Sequence, residues 1–590
     1  MKRFLSVLLT LCLMAACVPA AFAEGADVLH GYVSTWDNYG LSKDPITLTI
    51  GVGAQDAPAS AENNLELELI YQATGIRLEW VAYDTEKFAV LTAGGDLPDL
   101  FSMENANMVT ELIDSGAMLD IAPYIDQYGK NIQQVHSDYA LTWAKNLYGD
   151  GEHIYFLPSN TVYVGDQQIP TERNSYGYFV RWDIYQAIGA PAITDENGFN
   201  EDMFLDVLKQ MQDYAREKTG KDSIYALSGW NDWGTIWAAV IPYGMGICHK
   251  LNMWSDEITG MVENGDIYGD ADSHYYDALR FYNKAWRMGI LDPETFTLTY
   301  NQYDAKCKTG DVLVSNHGWY KHQDFDKSVT DVFGDGVECY VIKGMPYFYQ
   351  LVTANSPAGY GVFASDCISS NCEYPERAVA LLDYLRSDEF LRATACGLQG
   401  IHWDYDESGK PVYIGDAAVA YENNTMTEFW DIGNGNYKKF PAYKWTCGTK
   451  VCADGFPANF TAAADYTAET DAKDANVQAY LKFYGSEARY PGEMYLEWIN
   501  EGIAATGAPF NPKTAFKPSA SDDINSLKSK CDSYFNDNTP KVVFADTAEE
   551  AEAAITKMVE DELAMGSAKL LEDELAREAE SAKIAEELGF

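Results

Sequence analysis

Tryptophans, and short groups of carboxylates and amides, are the residues of this chain best suited to chemistry. Trp230, Trp233 and Trp237 fall in "GWNDWGTIW", a stretch rich in glycine and turn formers, and Trp319 closes "SNHGW". An indole face stacks on the apolar side of a pyranose ring while its N–H can still hydrogen-bond. Trp237 stands in an apolar context and reads as core, whereas Trp182, Trp403 and Trp445 are further stacking candidates. Trp80, Trp286 and Trp498 sit in periodic segments and read as core. Gln55 and Asp56, with Glu104 and Asn105, offer amides and carboxylates that donate to and accept from hydroxyl groups. A solvated turn is the equal alternative for each of those four.

Other chemistries lack their residues. "DYDESGKPVY" sets Asp404, Asp406 and Ser408 at calcium-loop spacing, but the acidic residue required at the twelfth position comes one place late, at Asp416. A hairpin turn is expected there instead. No histidine pair has metal-ligand spacing, and no G-x-S-x-G or Walker-type loop occurs. Neither a metal nor an organic cofactor is expected. Eleven cysteines include Cys12 and Cys17 near the amino terminus, leaving nine thinly spread beyond them. "CISSNC" (Cys367, Cys372) and "CGTKVC" (Cys447, Cys452) are close pairs that an oxidising compartment could bridge, although neither is C-x-x-C.

The elements that must position these residues are legible from periodicity. "ITLTIGV", residues 46–52, alternates as a half-buried strand does. "SAENNLELELIYQATG" reads as a helix, acidic in its first turns, with Gly75 as its stop. "IRLEWVAY" alternates again, "TEKFAVLTAGG" is a short helix and "LPDLFSM" a third strand. Strand-helix-strand-helix-strand predicts a parallel α/β sheet. Gln55, Asp56, Glu104 and Asn105 then follow the carboxyl ends of strands, where ligands meet such sheets. The pattern recurs in "YGYFVRWDIY", a strand running into a helix, and in "NEDMFLDVLKQMQDYA", whose Phe204, Val207, Leu208, Met211 and Ala215 share one face. "EYPERAVALLDYLRSDEF" likewise sets Ala378, Leu381, Leu382 and Leu385 together. The tail opens with a T-x-x-E capping box at Thr547 and Glu550 and continues as acidic helix.

At 590 residues the chain exceeds what one core serves, and its 47% hydrophobic and 22% charged content is that of a globular protein. Its 89 acidic against 42 basic residues give a formal charge of −47. Such a surface repels nucleic acid and anionic lipid, which excludes nucleic-acid partners and suits neutral or cationic ones. Lys2 and Arg3, the apolar run from Phe4 to Val18 and the small residues after it read as an export signal over residues 1–23. Two endings stand open. Ala21-Phe22-Ala23 is an A-x-A cleavage site, with the mature chain starting at Glu24; alternatively Cys17, after Met14-Ala15-Ala16, is lipidated and anchors the chain to the cytoplasmic membrane. Met14 stands where lipidation wants leucine, so cleavage before Glu24 is the expectation. No later stretch reaches the roughly 20 apolar residues of a membrane span.

Several local signatures occur in order: "LTAGGDLPDLF", "LIDSGAMLDIAPYI", "IYFLPSN", "YFVRWDIYQAIGAP", "CKTGDVLVSNHGW", "YPERAVALLDYLRSDEF" and "GLQGIHWDYDESGKPVY". This series resembles the extracellular solute-binding proteins of carbohydrate-type ABC importers, in the large variant of gut and soil Gram-positive bacteria. The resemblance implies a type II periplasmic-binding-protein-like α/β fold: two lobes joined by a hinge, a ligand cleft between them, closure on binding and delivery to the permease subunits. By analogy with the family's crossovers, one lobe holds residues 24–155 plus 340–395 and the other 156–339 plus 396–590. The resemblance also sets Trp319 where related sugar binders carry an aromatic stacking residue, which makes it the leading candidate, ahead of Trp230 and Trp233. It implies a monomeric, non-catalytic receptor for a carbohydrate, with an oligosaccharide expected. Two other readings stay open. The same scaffold could bind a peptide or a cationic small molecule, since fold does not fix ligand. A secreted glycoside hydrolase would need a carboxylate pair that no motif marks.

Overall fold

A computed structural model of the chain describes residues 34–53, 65–103, 106–136, 138–158, 175–231, 243, 268–317, 325–334, 336–345, 348–349, 365–423, 425–426, 429, 450–503, 505–506, 513 and 516–590. The chain forms two compact units, Met1–Tyr163 with Ala358–Phe460 and Val164–Pro357 with Thr461–Phe590, and so passes between them three times.

In the first unit β1 (Ile46–Gly53) and β2 (Ile76–Tyr83) run parallel, Ile46 opposite Ile76 and Gly53 opposite Tyr83. Leu48 and Ile50 of β1 are buried, as alternation requires. The intervening helix α1 (Leu65–Thr74) turns Leu69, Ile70 and Ala73 inward. It stops at Gly75, whose φ of 72° is left-handed and whose carbonyl accepts from the Ile46 amide at 3.1 Å. Asp84 caps α2 (Thr85–Gly94), accepting from the Lys87 amide at 2.8 Å. β3 (Leu100–Met103) joins the other side of β1, also parallel. Asp99, just before it, accepts from the Thr49 amide at 2.7 Å and the Thr49 hydroxyl at 2.8 Å, which fixes the stagger of the two strands. Helix α3 (Lys130–Val135) and strand β4 (Phe156–Leu157) precede the first crossing.

In the second unit β5 (Ser175–Arg181) runs directly into α4 (Trp182–Ala187), the predicted strand-to-helix passage. A small hairpin, β6 (Thr194–Asp195) and β7 (Gly198–Phe199), leads to α5 (Glu201–Thr219), which Asn200 caps. Phe204, Val207, Leu208, Met211 and Ala215 of α5 are all buried. The helix α6 (His274–Arg287) adds Tyr275, Tyr276, Leu279 and Phe281 to the same core. β8 (Val314–His317), β9 (Cys339–Tyr340) and β10 (Phe348–Tyr349) each pair antiparallel with β5. This sheet therefore differs from the parallel one predicted. The chain returns to β5 through several helices rather than one, so the single crossover that aligns strands in parallel is missing.

The chain re-enters the first unit at β11 (Ser365–Ile368), which inserts antiparallel between β3 and β4 and gives the order β2-β1-β3-β11-β4. Helix α7 (Pro375–Tyr384) follows, with Arg377 through Tyr384 all buried, and then α8 (Asp388–Cys396), capped by Ser387. β12 (Trp403–Tyr405) and β13 (Pro411–Tyr413) form a hairpin. In its turn Asp406 accepts from the Ser408 amide at 2.8 Å and the Lys410 amide at 3.0 Å, so "DYDESG" is a turn held by its own backbone.

Two assignments of the sequence reading change here. Residues 340–349 belong to the second unit, because β9 and β10 hydrogen-bond to β5. Residues 396–460 belong to the first, because the Arg392 guanidinium donates to Asp454 at 2.9 and 3.1 Å and the Cys396 thiol reaches the Ala458 carbonyl at 3.7 Å. Such contacts span many residues and leave no local pattern.

The tail folds as α9 (Asp522–Val543), strand β14 (Ala505–Thr506) preceding it, then α10 (Ala548–Met565) and α11 (Ala568–Glu587). It packs on α6: Asn283 donates to the carbonyls of Val542, Val543 and Ala545 at 3.2, 3.2 and 2.9 Å, and Arg280 holds Glu552 through two bonds at 2.7 and 3.0 Å. Thr547 caps α10, while the Glu550 carboxylate reaches back to the Asp546 amide rather than to that of Thr547. Among the described residues no helix is long and apolar enough to cross a membrane.

Gly75 carries a direct test of this frame. A β-carbon there would stand 2.1 Å from the Lys43 carbonyl oxygen, on a backbone that already has positive φ. Gly75→Ala is therefore expected to lower stability by about 1–3 kcal/mol, measured as a shift of the urea midpoint at unchanged slope.

Candidate functional site

The carboxyl edge of the first sheet is where its chemistry-bearing loops begin. β1 ends at Gly53, β3 at Met103 and β4 at Leu157. Gln55 and Asp56 follow β1, and Glu104 and Asn105 follow β3; all four lie outside the described residues. The structure does describe what holds this edge in place. Asp366 of β11 sits opposite Ser102 of β3 and Leu157 of β4. Its carboxylate takes a hydrogen bond from the Arg386 guanidinium, two residues beyond α7.

Arg386 is held through all three of its nitrogens. Its Nε donates to His136 Nε2 at 3.0 Å, one Nη to the Leu382 carbonyl at 2.8 Å and the other Nη to Asp366. Its own carbonyl accepts from Lys450 Nζ at 2.9 Å, and that ammonium also pairs with Asp388 at 2.8 Å. Arg386, Asp366, His136 and Lys450 are all buried. A guanidinium only donates, so His136 Nε2 is the acceptor and the ring proton sits on Nδ1. Burial, then the neighbouring Arg386 charge, holds the imidazole pKa well below its ordinary value, so His136 is neutral. Burial pushes the Asp366 carboxyl up to about 7, against the opposing pull of Arg386.

The tryptophans divide three ways. Trp182 is buried against Tyr480 and Phe483, with centroids 4.8 and 5.1 Å away and rings edge-on. Trp230 is wholly buried, packed on Tyr303 at 5.0 Å and Tyr300 at 5.6 Å. Both rings are therefore core rather than stacking surfaces. A turn-rich flank does not reveal partners that lie seventy residues downstream. Trp403 is different: it lines a crevice of the first unit beside Tyr405. Trp233, Trp237, Trp319 and Trp445 lie outside the described residues, as do Cys17 and Cys447. Of those read as core, Trp498 is buried, while Trp80 and Trp286 are partly buried against the two cores. Cys367, Cys372 and Cys452 are buried free thiols. Among the described residues no group of three or more His, Cys, Asp or Glu is arranged to hold a metal. Sequence reasoning missed Arg386, His136, Asp366 and Lys450. The one available signal was an arginine just past a mostly apolar helix.

No protein-family model matches the chain. The fructooligosaccharide ABC transporter substrate-binding protein FusA of Streptococcus pneumoniae is 22% identical over 262 residues, 42% of this chain and 45% of that protein, so the match spans less than half the length of the curated relative. The solved structure of FusA in complex with kestose superposes with a TM-score of 0.54 at 14% identity, over 91% of this chain and 99% of the other. A human-milk-oligosaccharide (HMO) binding solute-binding protein associated with an ABC transporter, from Bifidobacterium longum infantis, gives a TM-score of 0.53 at 14% identity, over 91% and 98%. The fold is that of these two-lobed solute-binding proteins, and these neighbours are binding proteins rather than enzymes.

Two variants test the edge. Arg386→Ala strands a buried carboxylate and is expected to cost about 3–5 kcal/mol in urea denaturation. A carboxyl with a higher pKa in the folded than in the unfolded chain favours the fold below the ordinary carboxylate range. That contribution is lost as pH rises through about 7 for Asp366. Between about pH 5 and about pH 8, wild type is expected to lose on the order of 2 kcal/mol that Asp366→Asn does not lose, read from parallel urea titrations.

Proposed function

We propose that this protein is an exported, non-catalytic receptor that captures an oligosaccharide at the carboxyl edges of its strands and delivers it to the membrane subunits of an ABC importer. The observation that carries this reading is the agreement in fold, along nearly the full length of both chains, with solved binding proteins whose names give fructooligosaccharide-transport and human-milk-oligosaccharide ligands. The local geometry supports it. A charge network buried under the edge holds β3, β4 and β11 in register, and the amides and carboxylates proposed as ligand contacts (Gln55, Asp56, Glu104, Asn105) leave from that edge. A preorganised edge suits a neutral ligand bound through many hydroxyl groups, because little ordering cost remains to be met on binding. Trp319, two residues past the end of β8, is proposed as the stacking platform, with Trp233 and Trp445 as secondary ones. The receptor works as a monomer. Its amino-terminal signal is removed before Glu24, and Cys17 is the anchoring alternative.

A thermal-shift screen of residues 24–590 against oligosaccharides, peptides and polyamines tests this. A ligand at a hundred times its Kd stabilises the fold by about 2.7 kcal/mol, a shift that is easily read. One glycan class is expected to raise Tm. Trp319→Ala is expected to weaken that glycan roughly tenfold in calorimetry, or about 1.4 kcal/mol. Shifts with peptides or polyamines alone, or release of reducing sugar, would overturn the reading.

A further inference from the structure

We propose that the crevice of the first unit formed by α8, the 397–405 segment and residues 452–454 is a second ligand site, one that takes a single sugar ring, either free or at the end of a longer glycan. The crevice encloses about 260 Å³. That is just under the ~300 Å³ at which drug-sized ligand pockets begin, so it holds one ring rather than a chain. Leu69, Ala393 and Leu398 give it an apolar floor. Tyr405 stands at its rim, 41% exposed. Trp403 supports Tyr405 edge-on at 5.4 Å and 86°, and is itself pinned by a 2.9 Å bond from its indole N–H to the Gly397 carbonyl.

The polar groups select the ligand. Asp454 takes both arms of Arg392 and, at 2.8 Å, the Tyr405 hydroxyl. Asp388 is paired with Lys450 at 2.8 Å and accepts from the Ala453 amide at 2.8 Å. Both carboxylates are neutralised in place, so an ammonium ligand would find no unpaired charge there. Asp454, which also accepts from the Phe456 amide at 3.0 Å, is filled, while Asp388 Oδ2 keeps a lone pair that can accept from a hydroxyl. Burial, then Asp454, pushes the Tyr405 hydroxyl up to about 12, so it stays a phenol that donates to Asp454. Arg392 is 4% exposed, lines the crevice, and its Nε has no hydrogen-bond partner among the described residues. A fixed carboxylate acceptor and an aromatic ring over an apolar floor match a sugar ring that carries hydroxyls on its edge and C–H bonds on its faces. The inference does not depend on the receptor reading, because the crevice shares only Asp388 and Lys450 with the network under the strand edge.

Hydrogen exchange read by mass spectrometry on the full chain tests it, with D-glucose, D-fructose, D-mannose and N-acetylglucosamine as probes. Each is used at about 50 mM, well above the ~1 mM Kd that about 4 kcal/mol of binding gives. At least one hexose is expected to slow exchange in peptides covering 397–405 and 450–456. Tyr405→Ala should abolish this at a Tm within about 2 °C of wild type, and Tyr405→Phe, which keeps the ring, should retain it. Lack of protection there by any of the four sugars, or protection that survives Tyr405→Ala, would overturn the proposal. The two readings fail separately. An oligosaccharide that protects only the peptides after β1 and β3 would leave the receptor and remove the crevice, whereas a hexose that protects only 397–405 would do the reverse.

Discussion

From Arg377 to its end helix α7 has no solvent face, and the first unit is arranged around that constraint. A helix buried on every side can carry polar groups only where each finds a partner, since an unpaired buried charge is costly. Arg377 meets the demand by donating to the Asp44 carbonyl at 2.7 Å and the Thr74 carbonyl at 2.8 Å, which ties the start of α7 to the lead-in of β1 and the end of α1. Asp383 meets it by accepting from the Ile132 amide at 2.6 Å, the Asn131 side chain at 2.8 Å and the Tyr39 hydroxyl at 2.6 Å. Arg386, just past the helix, reaches into β11. Three polar groups along one apolar helix thus fix segments remote from it in sequence. The same bonds that make its burial tolerable also set the position of the strand edge.

The second unit solves its packing with aromatic rings instead. Tyr340 and Tyr480 stack at 4.0 Å and 10°, the Tyr480 hydroxyl is satisfied by the Val341 carbonyl at 2.7 Å, and Trp182 closes the group edge-on. Arg181, fully buried, is paired with Asp183 and covered by the rings of Phe325 and Phe333 at 5.0 and 4.7 Å. Much of the aromatic content of the chain is therefore structural. That narrows the stacking candidates to rings outside these cores and to Tyr405, a residue that composition alone does not single out.

What was legible in the sequence was whatever a short window encodes. Alternation over 46–52 and 76–83 became β1 and β2, Gly75 ended α1, and the 3.6-residue spacing of Phe204, Val207, Leu208, Met211 and Ala215 became the buried face of α5. The hairpin at 403–413 followed from the missing twelfth calcium ligand and from an aspartate able to bind its own turn. What was not legible depended on pairing at long range. The antiparallel entry of β11, the allegiance of 396–460 to the first unit and the burial of Trp230 are all set by partners that no local pattern names. The site was legible only as far as the strand ends: Gln55 and Glu104 could be put beside an edge, but Arg386 and His136, which stiffen it, could not.

Cations are scarce in a chain with 42 basic residues against 89 acidic ones, and where they are buried they are placed selectively. Arg181, Arg377, Arg386, Arg392 and Lys450 are all buried, and each pairs with a carboxylate or donates to carbonyls that the fold cannot leave unpaired. Cations spent inside leave the exterior the more acidic, and an acidic exterior steers cations toward the protein while giving a neutral molecule no long-range pull. A neutral ligand must then be held by contacts made at hydrogen-bond and stacking distance alone. Such contacts are short-ranged and directional, so they repay only a surface whose groups are already in place. The buried arginine under β11 and the indole pinned beneath Tyr405 are two ways of meeting that requirement, one with charge and the other with packing.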